Sequence, residues 1–490
     1  MDALPREGWS NPASLSSRRL ALAVALIAAL LGLALVGAPL PALGALLALA
    51  AGALVLRSPY LGLLGYIAIE YIRPGEMSAT LGGLHLQRIA ALGLLGAVCL
   101  VQVTRTLRAR EGRAENPPPP LISTNAQSLA LFALLGVMFA SVLTAHWKSW
   151  SLLSALDFAK TVVAYLLILH LVRSERQARG LLWLFALIVG WHAAWAGWGY
   201  LTGQSVTYAQ GIYRAVSFNT LLGEPNALAS LMASALPVLV YLALAERSRP
   251  LKLIAIALAP IVVGGIVFTG SRTGVLSVLG VAVYLALHSR RKALAIGAIA
   301  LMVAMTFAAL PQDRRERILS IGNYNEDGSA VGRFRAWQAA LQMFADRPLL
   351  GVGPGGFMAA HGDVYSSRSH PSYLDAHNLF FQIIAEIGLL GLIAFGTFVA
   401  LVIRNQVVAR RLLRQRGLSG GHAYAMLLAL GGSLVSLLIT GVAGHTLFRF
   451  GYYFVGGLTL VYLRGAKATP APESPSGDLQ PGPLSVSGRA

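Results

Sequence analysis

The sequence predicts an all-α polytopic membrane protein with about 12–14 transmembrane helices, and three observations predict it. The 490-residue chain is 56% hydrophobic and only 12% charged, where a soluble domain carries about 25% charged residues. Fourteen apolar runs follow one another along the chain. Basic residues collect in every second loop between those runs, which is the pattern that sets membrane orientation.

A spanning helix needs about 20 mostly apolar residues. Runs of this kind lie near 20–37, 39–56, 58–72, 87–103, 127–145, 155–172, 180–201, 226–246, 252–269, 273–288, 293–310, 379–403, 423–443 and 451–463. The runs at 58–72 and 451–463 are short, and 39–56 opens at Pro39 and Pro41. The first run resembles a signal peptide because small residues follow it. The many runs behind it make it a retained first span.

The basic loops test the count. With the N-terminus and its Arg6, Arg18 and Arg19 in the cytoplasm, so are Arg57, the Arg105–Arg113 cluster, Arg173–Arg179, Arg247–Lys252, Arg290–Lys292, Arg404–Arg416, Arg464, Lys467 and Arg489. These hold 25 of the 39 Lys and Arg residues. The net charge of +19 is therefore a topology signal, and no nucleic-acid partner is expected. Both ends face the cytoplasm of a bacterial inner membrane. Pro117–Pro120 reads as a stiff linker, and the Pro-, Ser- and Gly-rich tail as disordered. The single cysteine, Cys99, excludes an intramolecular disulfide.

The chain then divides into about seven helices over 1–201, a core over 202–403, further helices over 404–464 and a tail over 465–490. Two outer segments are long: 202–225 and 311–378. Within the second, Phe334, Trp337, Leu341 and Phe344 recur at helical spacing, with Arg333 and Arg335 near the start. This predicts an amphipathic helix on the outer membrane surface. Pro348 stops it, and Gly351–Gly356 makes a sharp turn.

Candidate chemistry lies at the outer ends of the spans. Arg214 precedes a helix that opens at Gly223-Glu-Pro-Asn226, with Pro225 suited to the first turn and Asn226 placed to help cap it. Arg272 sits in the tight turn Thr269–Gly274. A lone outer arginine suits snorkelling to headgroups. Several together point to an anionic ligand, because the guanidinium fork matches phosphate oxygens and is always charged. His377, between Ala376 and Asn378 where the long loop enters a span, has an ordinary pKa of about 6.5 that suits a proton acceptor. Glu386, further along the same helix, is either its buried partner or a hydrogen-bonded core acid. Asp157 and Lys160 read as a structural ion pair. Gly351–Gly356 lacks the Gly-Lys-Ser/Thr of a phosphate loop. No His/Cys cluster has zinc spacing, and the scattered acids Asp313, Glu316, Glu326, Asp327 and Asp363 neither compose a metal site nor exclude one. No cofactor or metal is expected.

Four ordered pieces resemble the O-antigen ligase and O-antigen polymerase superfamily. They are Arg214 with Phe218-Asn219 and Gly223–Ala229; Gly270-Ser-Arg-Thr-Gly274; Gly332–Trp337 running into Asp346–Phe357; and His377-Asn378 followed by Gly388-Leu-Leu-Gly391. The resemblance covers 202–403. It implies a GT-C-like membrane glycosyltransferase that moves a glycan from a polyprenyl (undecaprenyl) pyrophosphate carrier to a lipid A core, protein or glycan acceptor at the periplasmic face. It implies that Arg214, Arg272 and Arg333 bind pyrophosphate and that His377 is the base, with Asn226, Asn378 and Glu386 in support. A polymerase joining carrier-linked repeat units would use the same donor site. A non-enzymatic transporter is the alternative from another class, although the halves show no clear repeat.

Overall fold

Eleven of the fourteen predicted spans fall on residues that the structure, a computed structural model, describes, and each of the eleven is helical. The described residues are 52–77, 86–111, 124–209, 211–289, 312, 315, 328–366 and 372–469. The runs at 20–37 and 293–310, most of 39–56, the Pro117–Pro120 linker and the tail beyond 469 lie outside them. Among the described residues eight helices are long and apolar enough to cross a membrane. The chain is a multi-pass helical membrane protein.

By contact it forms two compact units, Met1–Glu70 with Leu84–Pro118, and Tyr71–Gly83 with Pro119–Ala490. The helices in chain order begin with α1 (Pro59–Ile72), α2 (Pro74–Met77) and α3 (Leu86–Arg110). In the first unit Leu63, Ile67, Leu94 and Val98 are buried. Gly62 permits the contact between them, because a Cβ there would stand 2.9 Å from Leu94 Cδ1. Along the middle of α3 the outward positions are apolar, Leu92 and Leu100 among them, as a lipid-facing surface requires.

The second unit continues with α4 (Ala126–Thr144), α5 (Lys148–Leu171), α6 (Glu175–Thr202), strands β1 (Val206–Ala209) and β2 (Ile212–Ala215), α7 (Pro225–Ala245), α8 (Arg249–Phe268) and α9 (Arg272–His288). It ends with α10 (Gly328–Asp346), the short α11 (Phe357–Ala360), α12 (Leu379–Gln415), α13 (His422–Gly441) and α14 (Gly451–Ala468). Helix α7 is the buried centre. Its Ala227, Ala229, Ala233 and Ala235 are fully or nearly fully enclosed, and small side chains let neighbouring backbones approach where lipid supplies no hydrophobic drive. Polar pairs join the helices there: Ser230 Oγ donates to Thr440 Oγ1 at 2.7 Å, Ser433 Oγ to the Ser234 carbonyl at 2.7 Å, and Ser277 Oγ lies 2.7 Å from Ser436 Oγ. The Asp157–Lys160 ion pair forms on the surface of α5.

Three features go beyond the sequence expectation. The 202–225 segment contains an antiparallel hairpin, with Arg214 opposite Thr207 and Gly211 at φ 82° in its turn. Helix α12 runs past 403 to Gln415, because Val402, Gln406, Ala409 and Leu413 keep one face buried at three- and four-residue spacing. The amphipathic helix α10 buries Ala336, Ala339, Ala340 and Met343 against Val352, Phe357, Ala360 and Ala385. Its Phe334 and Leu341 are about half exposed, at 51% and 53%, while Trp337 turns inward. The small residues, rather than the large apolar stripe, form the face that meets the core.

Candidate active site

The site is built on a broken helix. Gly388, inside α12, has φ 65° and ψ −164°, so the helix ladder opens there and leaves backbone groups unpaired. The Pro348–Gly356 turn fills the gap. Val352 N donates to the Ala385 carbonyl at 2.8 Å and Gly353 N to the Glu386 carbonyl at 2.9 Å, while Leu389 N donates to Pro348 at 2.8 Å and Leu390 N to Leu349 at 3.3 Å. Irregular backbone at membrane depth persists when protein satisfies it. The approach is close enough to require glycine on both sides: a Cβ on Gly388 would lie 2.6 Å from Leu350 N, and one on Gly351 would lie 2.5 Å from the Glu386 carbonyl carbon. Ser141 Oγ, from α4, donates to the Glu386 carbonyl at 2.9 Å.

The Glu386 side chain completes this anchor. It accepts from Gly355 N at 3.0 Å and from Gln382 Nε2 at 3.4 Å. Gln382 Oε1 in turn accepts from Leu447 N at 3.3 Å. Of the two sequence readings for Glu386, these contacts fit the hydrogen-bonded core acid: it ties the glycine turn to α12.

His377 stands immediately ahead of this helix with φ 45°, a left-handed conformation uncommon outside glycine. Both neighbours hold it there. The Ala376 carbonyl accepts from Trp337 Nε1 at 3.0 Å, and Trp337 stacks on Phe381 with centroids 5.2 Å apart. Asn378 caps α12, accepting from Phe380 N and Phe381 N at 2.8 and 3.2 Å and donating to the Val442 carbonyl at 2.8 Å. The His377 ring lies 5.8 Å from that of His445. Burial pushes its pKa below the ordinary 6.5, and His445 and Arg333 push the same way, against Asp375 and Glu224. Together these influences favour the neutral imidazole.

The arginines form a second group. Arg214, on β2, is only 4% exposed. Its Nε donates to the Thr269 carbonyl at 2.8 Å and its Nη2 to Asn226 Oδ1 at 2.9 Å. Ser271 Oγ donates to the same Asn226 oxygen at 2.9 Å and accepts from Gly274 N, which caps α9. Arg272 is the first residue of that helix. Asn226 thus fastens Arg214 to the turn that carries Arg272. It does not cap α7: the cap position is Glu224, with Pro225 in the first turn as expected.

The two groups meet at Glu224–Asn226. Asn226 Nδ2 reaches Glu224 Oε1 at 3.4 Å, and Glu224 acts electrostatically on His377. Arg449 Nη2 lies 3.9 Å from Glu224 Oε2, and Arg449 Nη1 donates to the Leu221 carbonyl at 3.5 Å. A strap steadies the segment before it. Arg73 Nη1 donates to Glu76 Oε1 at 3.0 Å and to Thr220 Oγ1 at 2.9 Å, and Asn219 Nδ2 donates to the Tyr71 carbonyl at 2.7 Å. The Glu76 carboxyl is held below its usual range: burial opposes this, and hydrogen bonds from Thr220 and Arg73 outweigh it.

The structure brings His377, Arg214, Asn226, the Arg272 turn and Arg333 to one end of the bundle. It adds Glu224, His445 and Arg449, which the sequence reading did not single out. The criterion that flagged Arg272, charge in a short turn between spans, applies equally to His445 and Arg449 in the 442–450 turn.

Residues 256–396 match the family model described as O-antigen ligase. The matched segment contains Arg272, Arg333, His377, Asn378 and Glu386, and the hairpin with Arg214 precedes it. Comparison with curated proteins gave no match.

Proposed function

With residues 256–396 forming an O-antigen ligase-like segment, we propose that the protein is a membrane glycosyltransferase that moves a glycan from a polyprenyl-pyrophosphate carrier to an acceptor hydroxyl at the periplasmic face of the inner membrane. The observation that carries this reading is the connection between the two groups: Arg214 bonds Asn226, Asn226 reaches Glu224, Arg449 of the 442–450 turn lies beside Glu224, and His445 of the same turn lies 5.8 Å from His377, ring to ring. An anion-binding cluster and a proton acceptor then lie at one end of the bundle, at the depth where a carrier with its tail in lipid presents its pyrophosphate.

Helices α7 and α9 both begin at this end, so their positive dipole ends add to the attraction for a diphosphate. The basic clusters Arg173–Arg179, Arg247–Lys252 and Arg404–Arg416 lie at the opposite ends of the helices, which supports a periplasmic orientation.

In the proposed step the acceptor hydroxyl oxygen attacks the anomeric carbon of the carrier-linked sugar. His377 takes the hydroxyl proton as the new C–O bond forms. The bond from the anomeric carbon to the pyrophosphate oxygen breaks, and its electron pair leaves on the diphosphate. Arg214 and Arg272 stabilise that developing charge. One displacement inverts the anomeric configuration. Asn226 and Asn378 act by position: the first holds Arg214, the second fixes the backbone of His377. Arg333, half-buried on α10, adds positive charge that acts on His377.

The test is an envelope glycan profile of wild type, a deletion, and the deletion complemented with His377→Ala, with the carrier-linked pool quantified beside it. Long polymer left on the carrier with unmodified acceptor, not rescued by His377→Ala, supports ligation. Single repeat units on the carrier indicate polymerisation instead. Full rescue by His377→Ala removes the histidine from the mechanism.

A further inference from the structure

Near His377, the same end of the bundle carries three aromatic rings whose polar edges are pinned while about half of each residue stays exposed. Trp147 Nε1 donates to Asp363 Oδ2 at 3.1 Å, Tyr373 Oη to Asp363 Oδ1 at 2.9 Å, and Trp150 Nε1 to the Gly355 carbonyl at 3.0 Å. The three residues are nevertheless 48%, 54% and 59% exposed in the order Trp147, Tyr373, Trp150.

The rings are fixed rather than loose. The Tyr373 ring rests on Gly362, where a Cβ would collide with it. The His146 ring meets Trp147 edge-on at 5.3 Å. The Ser372 carbonyl accepts from His361 Nδ1 at 2.6 Å, which anchors the start of the Tyr373 segment. The α4–α5 turn sits close to the glycine turn because Gly353 and Gly355 carry no side chain: a Cβ on Gly353 would lie 3.1 Å from Ala145 Cα, and one on Gly355 would lie 3.0 Å from Ser154 Cβ. The same turn that repairs the break in α12 therefore also seats Trp150.

The position relative to the base is set by the chain. Tyr373 and His377 are four residues apart, a span of at most about 14 Å. A ring platform at that distance matches the reach of a few sugar units from the reacting carbon.

The chemistry suits a carbohydrate. A sugar ring offers a face of C–H groups to the electron-rich face of an indole or phenol, and its hydroxyls point outward around the rim. Asp363 lies between Trp147 and Tyr373 and uses two of a carboxylate's roughly four acceptor sites on them. The remaining sites suit hydroxyl donors. Trp and Tyr also gather at membrane interfaces, but a carboxylate set among the rings is costly to bury in the acyl boundary.

We propose that Trp147, Trp150, Tyr373 and Asp363 form a glycan-binding platform that holds the sugar chain next to the bond being made. This rests on the transferase reading. It adds the part of the substrate that the arginines and His377 do not touch.

The experiment uses the full-length protein in nanodiscs. The probe is the set of oligosaccharides released by mild acid from the carrier-linked pool of a strain lacking the protein. Binding is measured by equilibrium dialysis for wild type, Trp147→Ala/Trp150→Ala, Trp147→Phe and Tyr373→Phe. The double alanine variant is expected to lose at least about tenfold in affinity, from two aromatic contacts. Trp147→Phe and Tyr373→Phe, which keep a ring, are expected to retain most of it, which separates the effect from misfolding. Wild-type affinity in the double variant, or no glycan binding by wild type, overturns the platform. So does wild-type affinity combined with reduced quenching of the protein's fluorescence by brominated lipids, which would make the rings a membrane anchor. Transfer from carrier-linked donor is assayed in the same preparations. If wild type transfers while the variants bind glycan normally, the platform alone fails. If wild type transfers nothing, the transferase reading fails whatever the rings bind.

Discussion

Arg214 Nη2 donates to Asn226 Oδ1 across 2.9 Å, and that one bond joins the β-hairpin to the first turn of the most buried helix. Asn226 Oδ1 also accepts from Ser271 Oγ, so a single amide oxygen aligns Arg214 with the turn that leads into Arg272. In the proposed reaction, the Arg214 guanidinium and the turn that carries Arg272 would thus be set before the diphosphate arrives, an arrangement that makes charge stabilisation effective in a transition state.

Arg214→Lys keeps the charge but cannot reach both the Thr269 carbonyl and Asn226 with one planar fork. Transfer measured as kcat/KM for carrier-linked donor is expected to fall by about 100-fold or more. Asn226→Ala, which leaves Arg214 in place but unaligned, is expected to cost about tenfold to a hundredfold. Near-wild-type rates in both would remove this pair from donor binding.

The φ of 45° at His377 allows chemistry to be separated from folding. Asn tolerates the left-handed region better than most residues. His377→Asn is expected to express and melt like wild type while losing about 10²–10⁴-fold in transfer rate. His377→Val, a β-branched residue in a strained position, is expected to lose stability as well. Equal thermal stability of the two variants would argue against backbone strain at this residue.

The charges around His377 make opposite predictions for pH. Burial already holds its pKa below 6.5, so the base form persists into mildly acidic solution and the rate falls only as pH drops through that lowered value. Glu224 raises the pKa and Arg333 lowers it. Glu224→Gln is therefore expected to move the acid limb of the rate profile to lower pH, and Arg333→Gln to higher pH. Shifts in the same direction for both would show that the limb belongs to another group.

Gly388→Ala places a Cβ against the Leu349 carbonyl and Leu350 N at a positive φ. The expected loss is about 1–3 kcal/mol from the backbone conformation alone, with more from the collision. It reads out as lower yield in the membrane and a lower midpoint of thermal unfolding in detergent. Gly396→Ala, in the same helix with open space around its Cβ position, serves as the control and is expected to behave like wild type.

Much of this protein is legible in its sequence. Hydropathy and length are local properties, and all eleven spans that can be compared are helical. The glycine turn, the Asp157–Lys160 pair and Pro225 at a helix start follow from local preferences in the same way. The parts that were not legible depend on partners distant in the chain. The stripe with Phe334 and Leu341 marked α10 as amphipathic, and both side chains are exposed, but that Ala336, Ala339 and Ala340 pack against Val352, Phe357 and Ala385 depends on segments distant in the chain. Glu386 as anchor of Gly355 cannot be read without knowing that α12 breaks at Gly388.

The sequence by itself determined that the chain crosses a membrane many times, and it drew attention to Arg214, Arg272 and His377, because charge next to a span is costly enough to be conspicuous. Only the tertiary structure decided which groups surround them. Glu224, His445 and Arg449 come from the start of α7 and the turn between α13 and α14; His445 lies beside His377 and Arg449 beside Glu224, because those helices end at the same side of the bundle. Such convergence is set by helix packing and by hydrogen bonds between distant segments, which no local pattern encodes.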